Sequence, residues 1–232
     1  MEVNVLYEDN HLIAVEKPAG LLTQGDKSGD ISLMDEVKKY LKEKYKKPGK
    51  VFLGLLHRLD RPVSGIVLFA KTSKGASRLS EQLRNHKIEK IYTALVVGKP
   101  KQKRRILINY IKKDEKKNKV TVYENEEEGA ERAELYYEII ASNNKYSLLK
   151  VQLKTGKPHQ IRSQLSFIGC PIVGDVKYGA PFALPHKNIA LSATFLFFNT
   201  ATGDKKIEIS IPIPIDWEKY IEIGSSKKSM IY

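Results

Sequence analysis

The sequence predicts an α+β fold: a single domain built on a mixed, mostly antiparallel sheet with flanking helices. Three segments place apolar residues at helical spacing, whereas a larger number of short runs are rich in β-branched and aromatic residues. Five of these runs follow one another between residues 90 and 154, with too few residues between them for the helical crossovers that parallel strands require. Most neighbouring strands are therefore expected to be antiparallel.

The chain begins with a predicted hairpin, in which the strands "VNVLYE" and "LIAVEK" flank the turn-prone "DNH". Apolar residues then recur at helical spacing, and Ser32 with Asp35 forms a capping pair, so a helix is predicted over about 32–47. The runs "VFLGLLHRLD" and "GIVLFAK" are predicted strands. The segment "SKGASRLSEQLRNH" is a predicted helix, because its apolar residues share one helical face.

The second half is predicted to be mostly strand. Its consecutive runs are "KIYTALVVG", "RRILINYI", "NKVTVYE", "RAELYYEIIAS" and "YSLLKVQLK". "KPHQIRSQLSFIG" restores helical spacing and ends at Gly169, and the strands "ALSATFLFF" and "KKIEISIPI" close the domain. No long flexible linker divides the chain, so one domain is expected over residues 1–223, followed by a frayed tail at 224–232.

The chain is strongly basic. Its 40 Lys and Arg residues exceed its 27 Asp and Glu residues, which gives a formal charge of +13 over 232 residues. Such an excess attracts polyanions such as nucleic acids, because binding releases counterions from phosphates. Lysine-rich helices such as "EVKKYLKEKYKK" are also common as solvated faces, so charge alone leaves both interpretations open.

Composition also indicates a soluble, cytoplasmic protein without a metal. The acidic N-terminal stretch "MEVNVLYEDN" does not resemble a signal peptide, and no apolar run approaches the ~20 residues of a membrane span. A single cysteine, Cys170, excludes an internal disulfide and a thiolate metal cluster. His57 and His159 do not match the spacing of familiar metal sites, so no metal is predicted.

The segment 99–119 is the most basic part of the chain, with ten basic and two acidic side chains. The following "YENEEEGAE" reverses the sign of the charge. The simplest interpretation is a hairpin whose exposed edge is protected by charge. The alternative is a flap that contacts phosphates.

Asp60 lies between Arg58 and Arg61 in "HRLDRPVSG". Because flanking guanidinium groups favour an ionised carboxylate, a role as general acid is disfavoured. Ion pairing, loop capping, metal binding and nucleophilic attack remain, and the lack of companion ligands weakens the metal interpretation. For an isolated "RLDR", a structural ion pair is the simplest interpretation.

Four segments together resemble the RluA-type pseudouridine synthase family, whose members isomerise uridine to pseudouridine within RNA. They are "DNHLIAVEKPAGLLTQ", "LLHRLDRPVSGIVLFAKT", "KIYTALVVG" and "LKTGKPHQIRSQLSFIGCPIVGDVKYG", and they occur in the family's order. A lone "HRLD" would not be specific. The resemblance implies the pseudouridine synthase catalytic fold.

The resemblance also implies the roles of individual residues. Asp60 matches the family's catalytic aspartate, Tyr92 its active-site tyrosine, and Arg162 the basic partner of the aspartate. Tyrosines in strands are also common packing residues, so only the resemblance selects Tyr92. Val63 stands where the family often has threonine, which removes no group that the chemistry requires. The residues expected to contact the substrate are Arg58, Arg61, Lys154, Lys157 and His159.

Several neighbours of these residues are expected to have supporting roles. Imidazole groups can serve in acid–base chemistry near neutral pH, but for His57 and His159 hydrogen bonding that supports the site is favoured. Gly174 and Asp175 are interpreted as turn residues. Tyr178 is expected to pack behind the site.

The implied reaction detaches uracil from C1′ and rejoins it through C5, so no cofactor is expected. The partner is expected to be a stem-loop of tRNA or rRNA, since no RNA-binding module precedes the first motif and the catalytic surface itself must recognise the RNA. The protein is expected to be a monomer. A stacked uridine must be flipped out to reach a recessed carboxylate, at a cost of a few kcal/mol. A non-catalytic RNA-binding factor on the same scaffold is the alternative. A hydrolase is disfavoured, because glycosidic hydrolysis usually needs a second carboxyl group.

Overall fold

The computed structural model describes residues 2–203 and 205–222. The predicted frayed tail at 224–232 lies outside the described residues. The chain divides into two compact units. Among the described residues, the first unit contains those up to Glu89 and those within Phe195–Ile211, and the second contains those within Lys90–Thr194 and from Pro212 to Glu222. The limits of the predicted domain, residues 1–223, stay a prediction.

The described residues confirm the predicted α+β class, a mixed and mostly antiparallel sheet of many strands with flanking helices. The helices are α1 (Leu33–Lys44), α2 (Ser73–Arg84) and α3 (Gln160–Phe167). The strands are β1 (Val5–Glu8), β2 (Leu12–Lys17), β3 (Gly54–Leu55), β4 (Ser64–Ala70), β5 (Glu89–Val97), β6 (Arg104–Asp114), β7 (Lys119–Tyr123), β8 (Glu131–Ser142), β9 (Tyr146–Leu153), β10 (Leu191–Asn199) and β11 (Lys206–Ser210).

Helix α1 is shorter than predicted and ends at Lys44 rather than near residue 47. Lys46 has a φ of +48°, outside the right-handed helical region. Pro48 follows soon after and disfavours helical geometry in the residue before it. The backbone therefore leaves the helix despite the lysine-rich pattern.

The run "VFLGLLHRLD" was predicted as a strand, but only Gly54–Leu55 is a strand. The rest forms a loop whose backbone is held by side chains. The Thr23 hydroxyl accepts from the Leu59 amide at 3.1 Å and donates to the Leu59 carbonyl at 2.8 Å. Because these polar groups are satisfied without a neighbouring strand, the segment can leave the sheet.

In the first unit, the strands β1, β2, β4 and the C-terminal part of β10 follow one another in the sheet, with β3 beside β4 and β11 beside β10. The β1–β2 and β2–β4 pairs are antiparallel, and Lys17 at the end of β2 lies opposite Gly65. The core of this unit is built from Leu12, Ala14, Ile66, Leu68, Ala70, Leu79, Leu196, Phe198, Ile209 and Ile211. This packing holds the ends of β3 and β4, which the loop 56–63 connects.

In the second unit, the strand order is β5, β9, β8, β6 and β7, and all four pairings are antiparallel. Helix α3 packs on β6 and β7, where the Gln164 amide donates to Asn109 Oδ1 at 2.9 Å. The predicted hairpin in the basic segment 99–119 is confirmed, since β6 and β7 pair and β7 is the last strand in this order.

None of the helices in residues 2–203 and 205–222 combines the length and the apolar composition that crossing a bilayer requires.

Candidate active site

Asp60 lies in the loop between β3 and β4, in the first unit, with a partly buried side chain. This loop is anchored on the segment that follows β2. The Gly20 amide donates to the Arg61 carbonyl at 2.8 Å, and Thr23 exchanges hydrogen bonds with Leu59. The Val63 amide closes a turn onto the Asp60 carbonyl at 3.0 Å. The carboxylate is thus presented from a backbone that is fixed on both sides.

Arg61 contacts the same anchoring segment through its side chain. Its Nε donates to the Gly20 carbonyl at 3.0 Å, and its Nη1 lies 2.8 Å from Asp30 Oδ2 in an exposed ion pair. The hydrogen bond to Gly20 helps to hold the loop. The ion pair with Asp30 adds little, because exposed ion pairs contribute little stability by themselves. Arg58 is exposed. Phosphate contacts of Arg58 and Arg61 stay predictions.

Lys17 is a buried cation that the sequence interpretation missed. Its side chain is fully buried, and its Nζ donates to the carbonyls of Pro18, Leu21 and Arg61 at 3.0, 2.6 and 3.1 Å. Burial lowers the pKa of Lys17 to about 7, the nearby Asp60 carboxylate acts to raise it, and Arg61 lowers it further. A buried amine therefore lies within electrostatic range of Asp60.

The sequence did contain a signal for Lys17. In the alternating pattern of a strand, Lys17 shares a face with Ile13 and Val15, and both are fully buried. A lysine in register with buried residues must find polar partners. Here the backbone carbonyls around "KPAG" supply them.

His57 lies at the start of the same loop and is tied to β4. Its Nε2 accepts a hydrogen bond from the Leu68 amide at 3.1 Å. An imidazole nitrogen that accepts from an amide carries no proton of its own. This contact suits the supporting role that was expected of His57.

Tyr92 lies on β5, in the second unit, opposite Val151 of β9. Its side chain is buried, with 6% of its surface exposed. Lys90 is two residues earlier on the same strand and therefore shares the face of Tyr92. Burial lowers the pKa of Lys90. The β5 motif thus carries two polar side chains in a largely buried setting.

Arg162 lies in the first turn of α3 and forms a bidentate ion pair with Asp175. Its Nε lies 2.7 Å from Asp175 Oδ2, and its Nη2 lies 2.8 Å from Oδ1. The two side chains are only 7% and 1% exposed. Asp175 was interpreted as a turn residue, so its side-chain partner was missed. The two residues lie on different elements, and no spacing pattern in the sequence links them.

Tyr178 packs beneath this ion pair, as expected of a residue behind the site. The guanidinium carbon of Arg162 lies 5.0 Å from the centre of the Tyr178 ring. The Tyr178 hydroxyl accepts from the Val120 amide at 2.9 Å and lies 2.7 Å from His159 Nδ1. The hydroxyl therefore lies between the Val120 amide and the His159 ring.

The residues before α3 form a tight loop. The Thr155 hydroxyl donates to Gln160 Oε1 at 2.8 Å, and the Lys157 amide donates to the same oxygen at 3.0 Å. Lys154 is exposed, whereas the Lys157 ammonium forms an ion pair with Glu131. Phosphate contacts of Lys154 and Lys157 stay predictions. To bind a phosphate, the Lys157 ammonium would have to leave its ion pair with Glu131.

The structure therefore groups the predicted residues within each unit. Asp60, Arg58 and Arg61 share one loop of the first unit, and the buried Lys17 lies beneath it. In the second unit, Arg162 and His159 meet through Tyr178. Across residues 2–203 and 205–222, no three His, Cys, Asp or Glu side chains are grouped as ligands for a metal ion. The expectations of no metal and no cofactor stay predictions.

The sequence model of a family described as "RNA pseudouridylate synthase" matches residues 11–167, which is more than half of the chain. This chain belongs to the RNA pseudouridylate synthase family. It is an RNA pseudouridine synthase, as the motif resemblance predicted. The matched range contains Asp60, Tyr92 and Arg162.

Individual members of the family are similar over most of the chain. A Rickettsia felis protein named "Ribosomal large subunit pseudouridine synthase C" is 34% identical over 223 residues, covering 94% of this chain and 70% of the relative. A Haemophilus ducreyi protein named "tRNA pseudouridine synthase C" is 32% identical over 243 residues and covers 94% of each chain.

A solved structure, "Human RNA Pseudouridylate Synthase Domain Containing 4", shares the fold with a TM-score of 0.77. The two chains are 22% identical, and the similarity covers 98% of this chain and 92% of the human one. This likeness confirms the fold class only.

Proposed function

We propose that this pseudouridine synthase isomerises specific uridines in the rRNA or tRNA stem-loops predicted from its sequence, with Asp60 as the catalytic carboxylate. The family match over residues 11–167 carries this proposal, because it includes the "HRLD" segment with Asp60 in its loop. The relatives named for the large ribosomal subunit and for tRNA support these two RNA classes as candidates.

In the proposed reaction, the bond between uracil N1 and ribose C1′ breaks, and a new bond forms between uracil C5 and C1′. Asp60 either attacks C1′ as a nucleophile or assists the departure of uracil. Tyr92 helps to move the proton that leaves C2′ or C5. Arg162 orients the carboxylate through its planar fork. Reactants and product have the same atoms and oxidation state, so the chemistry requires no redox partner.

The basic surface supports an RNA substrate of this kind. A uridine must be unstacked before its ribose can meet a recessed carboxylate, and this costs a few kcal/mol. Contacts from Arg58, Arg61, Lys154 and Lys157 to the RNA backbone would offset that cost. His159 would act beside them through hydrogen bonding. The cytoplasmic location and the monomeric state stay predictions.

The test is to incubate unmodified rRNA and tRNA with the protein and to map pseudouridines by position. The wild-type protein is expected to form pseudouridine at defined sites, and Asp60→Asn is expected to form none while it still binds RNA. Tyr92→Phe in the same assay should also bind RNA and lose turnover. Product formed equally by wild type and Asp60→Asn would contradict the role of Asp60, and RNA binding without product from wild type would favour the non-catalytic alternative.

A further inference from the structure

The ion pair between Arg162 and Asp175 fixes one edge of the guanidinium group. The carboxylate accepts from Nε at 2.7 Å and from Nη2 at 2.8 Å, which is the parallel two-bond arrangement that a planar fork allows. A guanidinium has five N–H groups. The pair uses the Nε edge, so the two N–H groups of Nη1 and one of Nη2 are directed elsewhere.

A second contact places an aromatic ring against the same group. The Tyr178 ring lies 5.0 Å from the guanidinium carbon. Tyr178 is itself held at its hydroxyl by Val120 and His159 and at its carbonyl by the Ser166 hydroxyl, which donates at 2.5 Å. The carboxylate thus holds one edge of the guanidinium, and a ring that is itself held in place packs against the group.

Asp175 is itself held on a rigid turn. Its amide donates to the Ile172 carbonyl at 2.9 Å, and its carbonyl accepts from the amides of Tyr178 and Ala180 at 3.0 and 3.1 Å. Gly174 before it has a φ of +87°, and a Cβ there would lie 2.6 Å from Leu184 Cγ. The carboxylate therefore has little freedom to follow a guanidinium that moves.

Stability is a weak reason to bury such a pair, because the cost of removing two charges from water offsets most of their attraction. We propose that Asp175 is a positioning residue, which holds the Arg162 guanidinium at the angle that the reaction requires. This proposal rests on the proposed role of Arg162. Since Asp175 neutralises Arg162, the pair supplies directed N–H groups rather than net positive charge.

The substitution Asp175→Asn separates alignment from charge. It raises the net charge by one, which on charge alone favours RNA binding. It also replaces one acceptor oxygen with an amide that faces the guanidinium N–H groups. If alignment matters, the single-turnover rate constant should fall by about 10²-fold, which is typical of a misplaced catalytic group. The Kd for RNA should change little.

A double-mutant cycle with Arg162→Lys gives a readout that a purely structural role would not produce. If Asp175 acts through Arg162, the double variant should turn over no more slowly than Arg162→Lys alone. Effects that multiply in the double variant would overturn the proposal. So would an Asp175→Asn variant whose turnover equals that of the wild type.

The matched control is Glu8→Gln, which breaks another buried ion pair in the first unit, whereas Arg162 and Asp175 belong to the second. Glu8 lies 2.5 Å from the Lys71 ammonium, and the two side chains are 9% and 8% exposed. This variant should lose stability as Asp175→Asn does, but it should keep wild-type turnover. The two variants are compared under conditions in which the same fraction of each is folded. If Glu8→Gln then lost as much turnover as Asp175→Asn, the effect at Asp175 would be one of stability, and positioning would be refuted.

A measurement without RNA separates this proposal from the proposed function. Exchange of the Arg162 Nε proton with solvent, followed by NMR and assigned through Arg162→Lys, should be slow in wild type and fast in Asp175→Asn. Unchanged exchange would overturn positioning. If exchange became fast as expected but wild type made no pseudouridine in any RNA, positioning of Arg162 would stand and the proposed function would fail.

Discussion

At the scale of single residues, the buried charges of Lys17 and Glu8 both have polar partners. Lys17 illustrates the backbone solution, because three carbonyl oxygens match the three N–H groups of an ammonium. The partners of Glu8 are side chains instead. Its carboxylate accepts from Lys44, Lys71 and Tyr45 at 2.7, 2.5 and 2.7 Å. In both places, some of the partners come from distant parts of the chain, such as Arg61 for Lys17 and Lys71 for Glu8.

The Glu8 network should make stability depend on pH in acid. Burial raises the pKa of Glu8, but hydrogen bonds from Lys44, Lys71 and Tyr45 outweigh burial and lower it from 4.5 to about 2. Because the folded-state value is below the unfolded one, this stabilisation is present above about pH 4.5 and is lost as the pH falls toward 2. Allowing for solvent screening, the loss should be about 2 kcal/mol.

The measurement is urea unfolding of wild type and Glu8→Gln across that pH range. The difference in their free energies of unfolding should shrink as the pH falls, because Gln has no carboxyl group to protonate. A difference that stayed constant from neutral pH down to about pH 2 would show that the network contributes no titrating stability.

At the scale of elements, the capping box of α1 shows how local sequence sets a helix start. The Ser32 hydroxyl accepts from the Asp35 amide at 3.3 Å, and Asp35 Oδ2 accepts from the Ser32 amide at 3.0 Å. Both partners lie within one turn, so the pattern in the sequence was sufficient to predict it. Hydrogen bonds from the Ser32 hydroxyl and amide lower the pKa of Asp35.

Ser32→Ala should lower the free energy of unfolding by about 1 kcal/mol, because it leaves an amide of the first helical turn without its acceptor. Urea unfolding checks this value. The control is Ser28→Ala in the exposed loop before the helix, whose effect should stay within about 0.5 kcal/mol. Equal losses in the two variants would contradict a specific contribution of the cap.

The loop that carries Asp60 shows the limit of element prediction. Its apolar composition is typical of a strand, yet hydrogen bonds from Thr23 to Leu59 and from Leu68 to His57 hold it outside the ladder. Strand propensity describes a side chain that suits a pleated surface, and tertiary contacts can override it. These contacts join residues that are 36 and 11 positions apart, so no local window contains them.

At the scale of the whole molecule, the charge of +13 should make RNA binding depend strongly on salt. Each phosphate that the protein neutralises releases counterions and contributes about −0.7 to −0.9 to the slope of log K against log salt. The dissociation constant for an unmodified stem-loop, measured from about 50 to 200 mM salt, should rise several-fold or more. Asp60→Asn should keep the same slope, because its effect is on chemistry.

An affinity that did not change with salt would contradict the role assigned to the basic surface. The exposed lysines of the β6–β7 turn allow a finer comparison. Lys116→Gln should reduce the slope by about one if the hairpin is a flap that contacts phosphate. It should leave the slope unchanged if charge there only protects the edge strand.

The sequence by itself determined most of the strands, the positions of α1, α2 and α3, the basic character and the four motifs that indicate the family. These features are local, because helix periodicity, strand periodicity and helix capping each depend on residues that are close together in the sequence. The resemblance of these motifs to the family selected Asp60, Tyr92 and Arg162, and the family match includes all three positions. Their roles stay predictions.

Only the tertiary structure decided which charges are buried and what they contact. The strand pattern places Lys17 in register with buried residues, but only the fold shows which carbonyls it contacts, and Asp175 reads as a turn residue until Arg162 lies against it. The physical reason is that the cost of burying a charge is met by groups from other elements. Their proximity is a property of the folded backbone rather than of any stretch of sequence.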